Sequence, residues 1–120
     1  MILPPRIPKK AKRSSRWRSQ AHCNFVRSHA CSVCHETAGV QVAHVRLGSG
    51  TGMGQKPDDW RAVSLCAHHH TFQHSVGEAT FWGNYRRDCG LEVEAVIEAF
   101  CKASPKAAEI RAVRKEREGG

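Results

Sequence analysis

Apolar residues recur with two different periods along the chain, and these periods predict which segments are strands and which are helices. Residues 40–47 alternate apolar and polar side chains and are rich in β-branched residues, so they predict a strand. Residues 61–65 predict the strand that returns beside it, after a glycine-rich loop over residues 48–54. Helical spacing and helix-ending residues predict five helices, over residues 20–30, 67–76, 78–88, 92–102 and, as a frayed basic helix, 106–118.

The composition indicates one small domain with a modest core. The chain has 120 residues, of which 40% are hydrophobic and 7% aromatic, and a domain commonly has about 100–150 residues. Chains of this size often add a disulfide or a metal ion to what apolar burial contributes to stability. The six cysteines and eight histidines make a metal ion the first expectation.

The positive charge lies mainly near the N-terminus. The formal net charge is +8, and residues 1–20 contain seven basic residues and no acidic residue. Because this segment also contains three prolines, we predict a basic, disordered arm over residues 1–20. Residues 21–104 are predicted to form the folded domain, and residues 105–120 a basic C-terminal tail or frayed helix.

The sequence gives no indication of a membrane-bound or secreted protein. No apolar run approaches the roughly 20 residues that a spanning helix requires. Residues 1–10 have proline and lysine where a secretory signal would have its apolar stretch. We therefore expect a cytoplasmic protein with no membrane partner, in which clustered cysteines indicate metal binding before disulfides.

Two pairs of metal-binding residue types share the same short spacing. Cys31 and Cys34 are separated by two residues, and so are Cys66 and His69. A turn and the start of a helix can each bring two such side chains to one tetrahedral zinc ion, as in treble-clef domains. We therefore predict that these four residues bind a structural Zn²⁺. The cysteines without a partner at a useful spacing are expected to be buried as small apolar residues, namely Cys23, Cys89 and Cys101.

Further histidines follow the predicted zinc ligands on the same predicted helix. His70 and His74 are one helical turn apart, so they share a face and form a half-site for a divalent metal ion. His44 lies on the first strand, and hairpin folding would bring it opposite that helix. A neutral imidazole has a pKa near about 6.5 and accepts a proton, and phosphodiester hydrolysis needs a base and an electrophile on opposite sides of phosphorus. A hairpin histidine that faces a pair of histidines on a helix supplies this arrangement.

Taken together, the motifs from Cys31 to His74 resemble those of the HNH endonucleases, also called ββα-metal or His-Me finger nucleases. The sequence is similar in particular to small phage and prophage members of the recombination enhancement function type. The resemblance implies an α+β fold, a small zinc-stabilised treble-clef ββα-metal domain with flanking helices, over residues 21–104. It also implies a DNA endonuclease that works in phage or prophage recombination or DNA processing, with a recombinase or another DNA-processing protein as partner.

The same resemblance implies roles for individual residues. It implies that His44 is the general base, and that His70 and His74 hold a catalytic Mg²⁺, Mn²⁺ or other divalent ion. Asp59 lies near the position of the family's middle asparagine but is displaced from it. We expect Asp59 to orient His44, to bind the metal or to shape the loop, and Asp58 is the alternative occupant of this position.

Ala43 departs from the family pattern, because relatives often have a metal-binding acid or histidine immediately before the base. Two histidines, with an aspartate as an optional third ligand, would then hold the catalytic metal. This departure and the basic arm motivate an alternative function, a non-catalytic zinc-containing module that binds nucleic acid. A third hypothesis is a structural zinc knuckle that docks on a protein partner through Trp60, Phe81 and Trp82, although we expect Phe81 and Trp82 to pack in the core.

DNA is expected to bind mainly through the arm, because cations that neutralise phosphates release counterions and strengthen binding. On the glycine-rich loop, Lys56 is the local candidate for a phosphate contact. The predicted nucleic-acid-binding residues are Lys9, Lys10, Lys12, Arg13, Arg16, Arg18 and Lys56.

Overall fold

The structure, a computed structural model, describes residues 2–6, 16–51 and 55–119 and has an α+β architecture. In chain order the elements are α1 (Gln20–Arg27), β1 (Val40–His44), β2 (Ala62–Cys66), α2 (Ala67–Val76), α3 (Glu78–Cys89), α4 (Val93–Ala103) and α5 (Ala107–Gly119). Each element predicted from the sequence is present, with bounds that differ by a few residues. Among the helices of the described ranges, none has both the length and the apolar character needed to cross a bilayer.

The two strands form an antiparallel sheet, with Val40 opposite Cys66 and His44 opposite Ala62. All five residues of β2 are buried, which requires cover on both faces, because successive side chains point to opposite sides of a strand. Helices α1, α2 and α4 all pack on β2. Because His44 pairs with Ala62, the segment just before Ala62 lies beside the end of β1.

Strand β1 ends at His44, although the alternating pattern predicts a strand to residue 47. The amide of Val45 still donates to the carbonyl of Arg61 over 2.8 Å. The next two amides, of Arg46 and Leu47, donate instead to the Glu78 carboxylate over 2.8 and 3.2 Å. The Glu78 side chain of α3 therefore binds the chain where it leaves the sheet.

Capping residues account for several helix ends. The Ser19 hydroxyl accepts a hydrogen bond from the amide of His22, which caps the N-terminus of α1. Gly77 separates α2 from α3 at φ 87°, and Gly90 ends α3 at φ 78°. Residues with a Cβ rarely adopt this conformation, so both glycines end their helices as the sequence predicts.

Helix α5 is packed into the core with the sheet and α4. Leu65, Ile97 and Ile110 are each at most 1% exposed and belong to the same cluster of buried apolar residues. Residues 105–120 are predicted from the sequence to be a basic tail or frayed helix. The structure differs because Ile110 of α5 is buried in the core, with Val113 packed against it.

The packed domain begins before the predicted end of the basic arm. Trp17 is 8% exposed and belongs to the core cluster. Its indole Nε1 donates to Oε1 of Glu109 on α5 over 2.9 Å. A buried indole needs apolar contacts for its ring and an acceptor for its N–H group. The folded domain provides both to Trp17, so residues 16–20 belong to it.

Candidate metal centre and histidine pair

The four predicted zinc ligands lie together between α1 and α2. Cys31 and Cys34 lie on the turn after α1, Cys66 ends β2, and His69 is in the first turn of α2. One ligand atom from each residue lies within 4.8 Å of the others. The Cys66 Sγ and His69 Nδ1 are 3.2 Å apart, and the Sγ atoms of Cys34 and Cys66 are 3.8 Å apart. The spacing prediction that these residues meet is confirmed.

Backbone hydrogen bonds hold the first cysteine pair in a tight turn. The amide of Cys31 donates to the carbonyl of Glu36, and the amide of His35 donates to the carbonyl of Cys31, both over 2.9 Å. His35 has a φ of 62°, in the left-handed region, which allows the chain to reverse after Cys34. The amide of Ser32 donates to the carbonyl of Ser64 over 2.8 Å, which attaches this turn to β2.

The electrostatics of Cys31 and His69 suit ligands of a metal ion. Burial alone would raise the pKa of the Cys31 thiol, but backbone amides that donate to its sulfur, including those of Cys34 and Cys66, lower the pKa overall. Burial, followed by the neighbouring His68, lowers the pKa of His69, so its imidazole is neutral near pH 7. Thiolates and neutral imidazoles are the usual donors to structural zinc. These residues can therefore bind a metal such as zinc.

His44 and Asp59 form a hydrogen-bonded pair at the open end of the sheet. The Nε2 atom of His44 lies 2.9 Å from Oδ1 of Asp59. Asp59 is 5% exposed, and its Oδ2 accepts the Ser19 amide over 2.8 Å at the N-terminus of α1. Arg18 contributes a guanidinium 3.2 Å from Oδ1. The carboxylate is thus fixed by three groups from two segments of the chain.

The charges of this pair define the protonation state of the imidazole. Burial lowers the pKa of His44, against the opposing effect of the hydrogen bond to Asp59. Burial alone would raise the pKa of Asp59, but its hydrogen bonds to His44 and to the Ser19 amide lower the pKa overall. Near neutral pH, an ionised Asp59 therefore accepts the Nε2–H of a neutral His44. The lone pair of His44 Nδ1 is then available to accept a proton.

The two adjacent aspartates have different partners. Asp58 Oδ1 accepts the backbone amide of Trp17 over 2.6 Å, and its Oδ2 is ion-paired with Arg117 of α5. Asp59 is the one that contacts His44. Of the roles that the sequence leaves open, orientation of His44 is therefore the one that matches the contact made by Asp59.

His70 and His74 are neighbours on α2, with ring centroids 5.0 Å apart. The Nδ1 of His70 lies 2.8 Å from the side-chain oxygen of Gln41 on β1. Because an amide oxygen only accepts, this contact places the proton of neutral His70 on Nδ1 and leaves Nε2 free as a ligand. The pKa of His70 is lowered by burial first, then by His74 and His44, so His44 is close enough to affect the His70 charge.

The predicted second metal site has fewer ligands than the Cys/His cluster. Within residues 2–6, 16–51 and 55–119, the Cys/His cluster is the one group of at least three Cys, His, Asp or Glu side chains with ligand atoms this close. Ala43, at the position where the HNH pattern that the sequence resembles often has a further ligand, is fully buried in the core. A divalent ion at His70 and His74 would therefore need most of its ligands from water and substrate.

The predicted nucleic-acid-binding residues fall into two groups. Arg16, Arg18 and Lys56 are described: Arg16 and Arg18 are ion-paired with Asp58 and Asp59, and Lys56 is exposed. The others lie outside the described residues: Lys9, Lys10, Lys12 and Arg13.

Two neighbours of the candidate site residues, Gln41 and Cys23, have no signal in the sequence. Gln41 is three residues before His44, and no sequence pattern relates it to His70. Burial, followed by the nearby Asp59 carboxylate, raises the pKa of the Cys23 thiol, so Cys23 also lies close to this carboxylate. Only the packing of α1 against the sheet could reveal this neighbour.

One expectation about the remaining cysteines needs correction. Cys23 and Cys101 are buried as predicted, but Cys89 is exposed, because it lies in the last turn of α3 before Gly90. Phe81 and Trp82 pack in the core as expected, at 5% and 3% exposure, so they offer little to a docking surface. Of the three aromatic residues, Trp60 alone is only partly buried.

The fold and the Cys/His cluster define a small α+β domain that can carry a metal ion. The chain belongs to the family described as "Protein of unknown function (DUF968)", which matches residues 4–104. No curated protein matches the chain, and no solved structure does. The match includes His44, His70, His74 and the Cys/His cluster, and it ends before α5.

Proposed function

We propose that this protein is a metal-dependent DNA endonuclease of the HNH type, which hydrolyses phosphodiester bonds. The observation that carries the proposal is the 2.9 Å hydrogen bond between His44 and Asp59 on a hairpin followed by α2, which bears His70 and His74. A base oriented by a carboxylate, beside two candidate metal ligands, is the set of groups that phosphodiester hydrolysis requires.

In this proposal His44 acts as the general base. Its Nδ1 takes a proton from a water molecule, and the resulting hydroxide attacks phosphorus. The imidazole then carries a positive charge, which the ionised Asp59 stabilises through the Nε2 hydrogen bond. Asp59 also keeps the proton on Nε2, so that Nδ1 remains the basic atom.

His70 and His74 would hold the divalent ion, Mg²⁺ or Mn²⁺. When bound, such an ion polarises the phosphate and stabilises the charge on the leaving oxygen. Gln41 supports this role because its contact with His70 Nδ1 leaves Nε2 as the ligating atom. The lowered pKa of His70 keeps its imidazole neutral and able to bind a cation near pH 7.

The Cys/His cluster supports the proposal as the element that connects the site to the rest of the domain. Cys66 is both a cluster residue and the N-cap of α2, the helix that bears His70 and His74. Zinc bound by the cluster would fix the start of α2 relative to the turn after α1. This arrangement is consistent with a treble-clef ββα-metal domain, in which the zinc is structural.

The direct test is cleavage of supercoiled plasmid in the presence of Mg²⁺ or Mn²⁺. Substitution of His44 by Ala should lower the rate by about 10²–10⁴-fold, the range typical for loss of a general base. His29→Gln is a matched control, because His29 is exposed and is not one of the candidate site residues. Cleavage by His44→Ala at the wild-type rate would refute the assignment of the base.

Ala43 favours a second candidate, a non-catalytic zinc module that binds nucleic acid. Its side chain is fully buried and offers no ligand, so the divalent site relies on two histidines. The two candidates differ in one measurement. Salt-sensitive DNA binding by the zinc-loaded protein, with no cleavage in Mg²⁺, Mn²⁺ or other divalent ions, would support the binding module.

A further inference from the structure

Helix α5 contacts both sequence neighbours of Asp59. Arg117 of α5 forms an ion pair with Oδ2 of Asp58. The guanidinium of Arg114, also on α5, lies 4.5 Å from the ring centroid of Trp60, a distance typical of a cation–π contact. Arg114 is itself held by Glu98 of α4 at 2.8 Å. The residue that orients His44 therefore lies between two residues that α5 fixes.

Trp17 forms a second connection between α5 and the same loop. Its indole donates to Glu109 of α5, and its backbone amide donates to Asp58. Its carbonyl accepts the amide of Asp59 over 2.9 Å. The backbone of Trp17 is thus bonded to both aspartates, and its side chain is bonded to α5.

The burial of Asp58 makes its partners important for the loop. The Asp58 side chain is 5% exposed, and its Oδ2 faces Arg117 and, at 3.8 Å, Arg16. Removing either partner of a buried ion pair is destabilising, so loss of the Arg117 cation or of the Asp58 charge would allow the loop to move away from α5, even with Arg16 near Oδ2. Because Asp58 and Asp59 are adjacent, such a movement would carry the Asp59 carboxylate away from His44.

We propose that Arg117 is a positioning residue for His44, which acts through Asp58 to hold the Asp59 carboxylate against Nε2 of the imidazole. This role assigns α5 to the candidate site, although the family match ends at residue 104. The effect on activity rests on the proposed function, whereas the effect on His44 geometry does not.

The test compares three variants of the full-length, zinc-loaded chain. Arg117→Met keeps most of the aliphatic side chain and removes the cation. Arg117→Lys restores a positive charge. Arg111→Met is the matched control, because Arg111 is exposed on the same helix. The first measurement is the ¹H–¹⁵N correlation spectrum of the His44 ring, which reports which nitrogen carries the proton.

We expect Arg117→Met to alter the His44 ring signals and to reduce the population protonated at Nε2, with Arg117→Lys intermediate and Arg111→Met unchanged. In the cleavage assay, kcat should fall by about tenfold with little change in KM, because misplacement of a catalytic group by about 1 Å has effects of this size or larger. Asp58→Asn, which keeps an acceptor for the Trp17 amide, should alter the signals in the same way. The double variant should add little to either single one.

Wild-type His44 ring signals in both Arg117→Met and Asp58→Asn would overturn the proposal. Altered signals in a protein that cleaves no DNA would support the positioning role and count against the nuclease. Thermal melting of each variant separates local change from unfolding. If Arg117→Met unfolds, the signals of Asp58→Asn decide the outcome.

Discussion

The imidazole of His44 and the carboxylate of Asp59 meet over 2.9 Å, although a glycine-rich loop separates them in the chain. The sheet register explains the contact, since His44 pairs with Ala62 and so brings the residues just before Ala62 to the end of β1. The N-terminus of α1 then fixes the carboxylate through the Ser19 amide. The pair is therefore a consequence of hairpin closure and helix packing together.

The first prediction concerns the pH dependence of cleavage. His44 works as a base only when neutral, so the rate should fall as the pH drops below its pKa, which burial lowers from the ordinary value. Asp59 opposes this lowering, so Asp59→Asn should lower the pKa of His44 further. The acidic limb of the kcat/KM profile should then shift to lower pH, while the plateau falls by at least about tenfold.

Rates measured across the acidic and neutral range, with Mg²⁺ saturating, check this prediction. Asp88→Asn is the control, because the Asp88 side chain is 69% exposed and paired only with its neighbour Arg87 among the salt bridges of the described residues. An acidic limb that stays in place in Asp59→Asn would show that His44 titrates independently of Asp59.

The second prediction concerns the Cys/His cluster. The purified protein should contain about one zinc per chain, because the cluster offers the four ligands of one tetrahedral site. Cys34→Ser should lose most of this zinc and melt at a lower temperature, since metal affinity and folding are coupled. Metal analysis and thermal melting provide the two measurements.

Cys89→Ser is a suitable control for the cysteine substitution. Both Cys34 and Cys89 are exposed, but Cys89 lies outside the cluster. Its zinc content and melting temperature should match those of the wild type. Equal zinc content in Cys34→Ser and Cys89→Ser would contradict the ligand assignment.

The third prediction concerns Gln41, which contacts His70 Nδ1 at 2.8 Å. Gln41→Met removes the acceptor and frees the proton of His70 to move to Nε2, where it blocks metal binding. The concentration of Mn²⁺ needed for half-maximal cleavage should rise by about 10-fold or more, in line with other residues that orient metal-binding histidines. Cleavage at saturating Mn²⁺ should largely recover.

Thr71→Ala tests whether any change near α2 has the same effect. Thr71 is exposed and lies beside His70 in the helix, and its removal should leave the Mn²⁺ requirement unchanged. A Gln41→Met protein with wild-type Mn²⁺ dependence would argue against a metal ligand role for His70 Nε2.

The fourth prediction concerns DNA affinity. Deletion of residues 2–15 removes five basic residues but keeps Trp17, which belongs to the core. The deleted protein should fold normally and bind DNA more weakly, with a flatter dependence of log K on log salt. For duplex DNA, each phosphate that the protein no longer neutralises makes this slope shallower by about 0.9.

Binding measured at several salt concentrations, with circular dichroism as the folding check, tests this prediction. A deletion of residues 2–20 should instead destabilise the fold, because it also removes Trp17 and the Ser19 cap of α1. Equal salt slopes for the full chain and the shorter deletion would exclude a role for the arm in binding.

The sequence predicts most of the fold because its signals are local. Alternation over residues 40–47, helical spacing over 92–102 and the glycines at 77 and 90 each specify a conformation from near neighbours. The limits of this reasoning appear at Leu47 and Ile110. Leu47 lies outside the strand, where its amide is bonded to Glu78, and Ile110 is buried through contacts with distant residues.

By itself, the sequence determined the order of the elements and the two pairs of cluster residues, since a spacing of two residues on a turn or helix start constrains where side chains point. Tertiary structure alone decided that Asp59 rather than Asp58 contacts His44. It also decided that α5 is ion-paired with the loop that carries both aspartates. In the sequence, Asp58 and Asp59 are adjacent residues of the same type, so a motif cannot distinguish their roles. Only the surrounding donors and cations, brought together by long-range packing, give each its own partner.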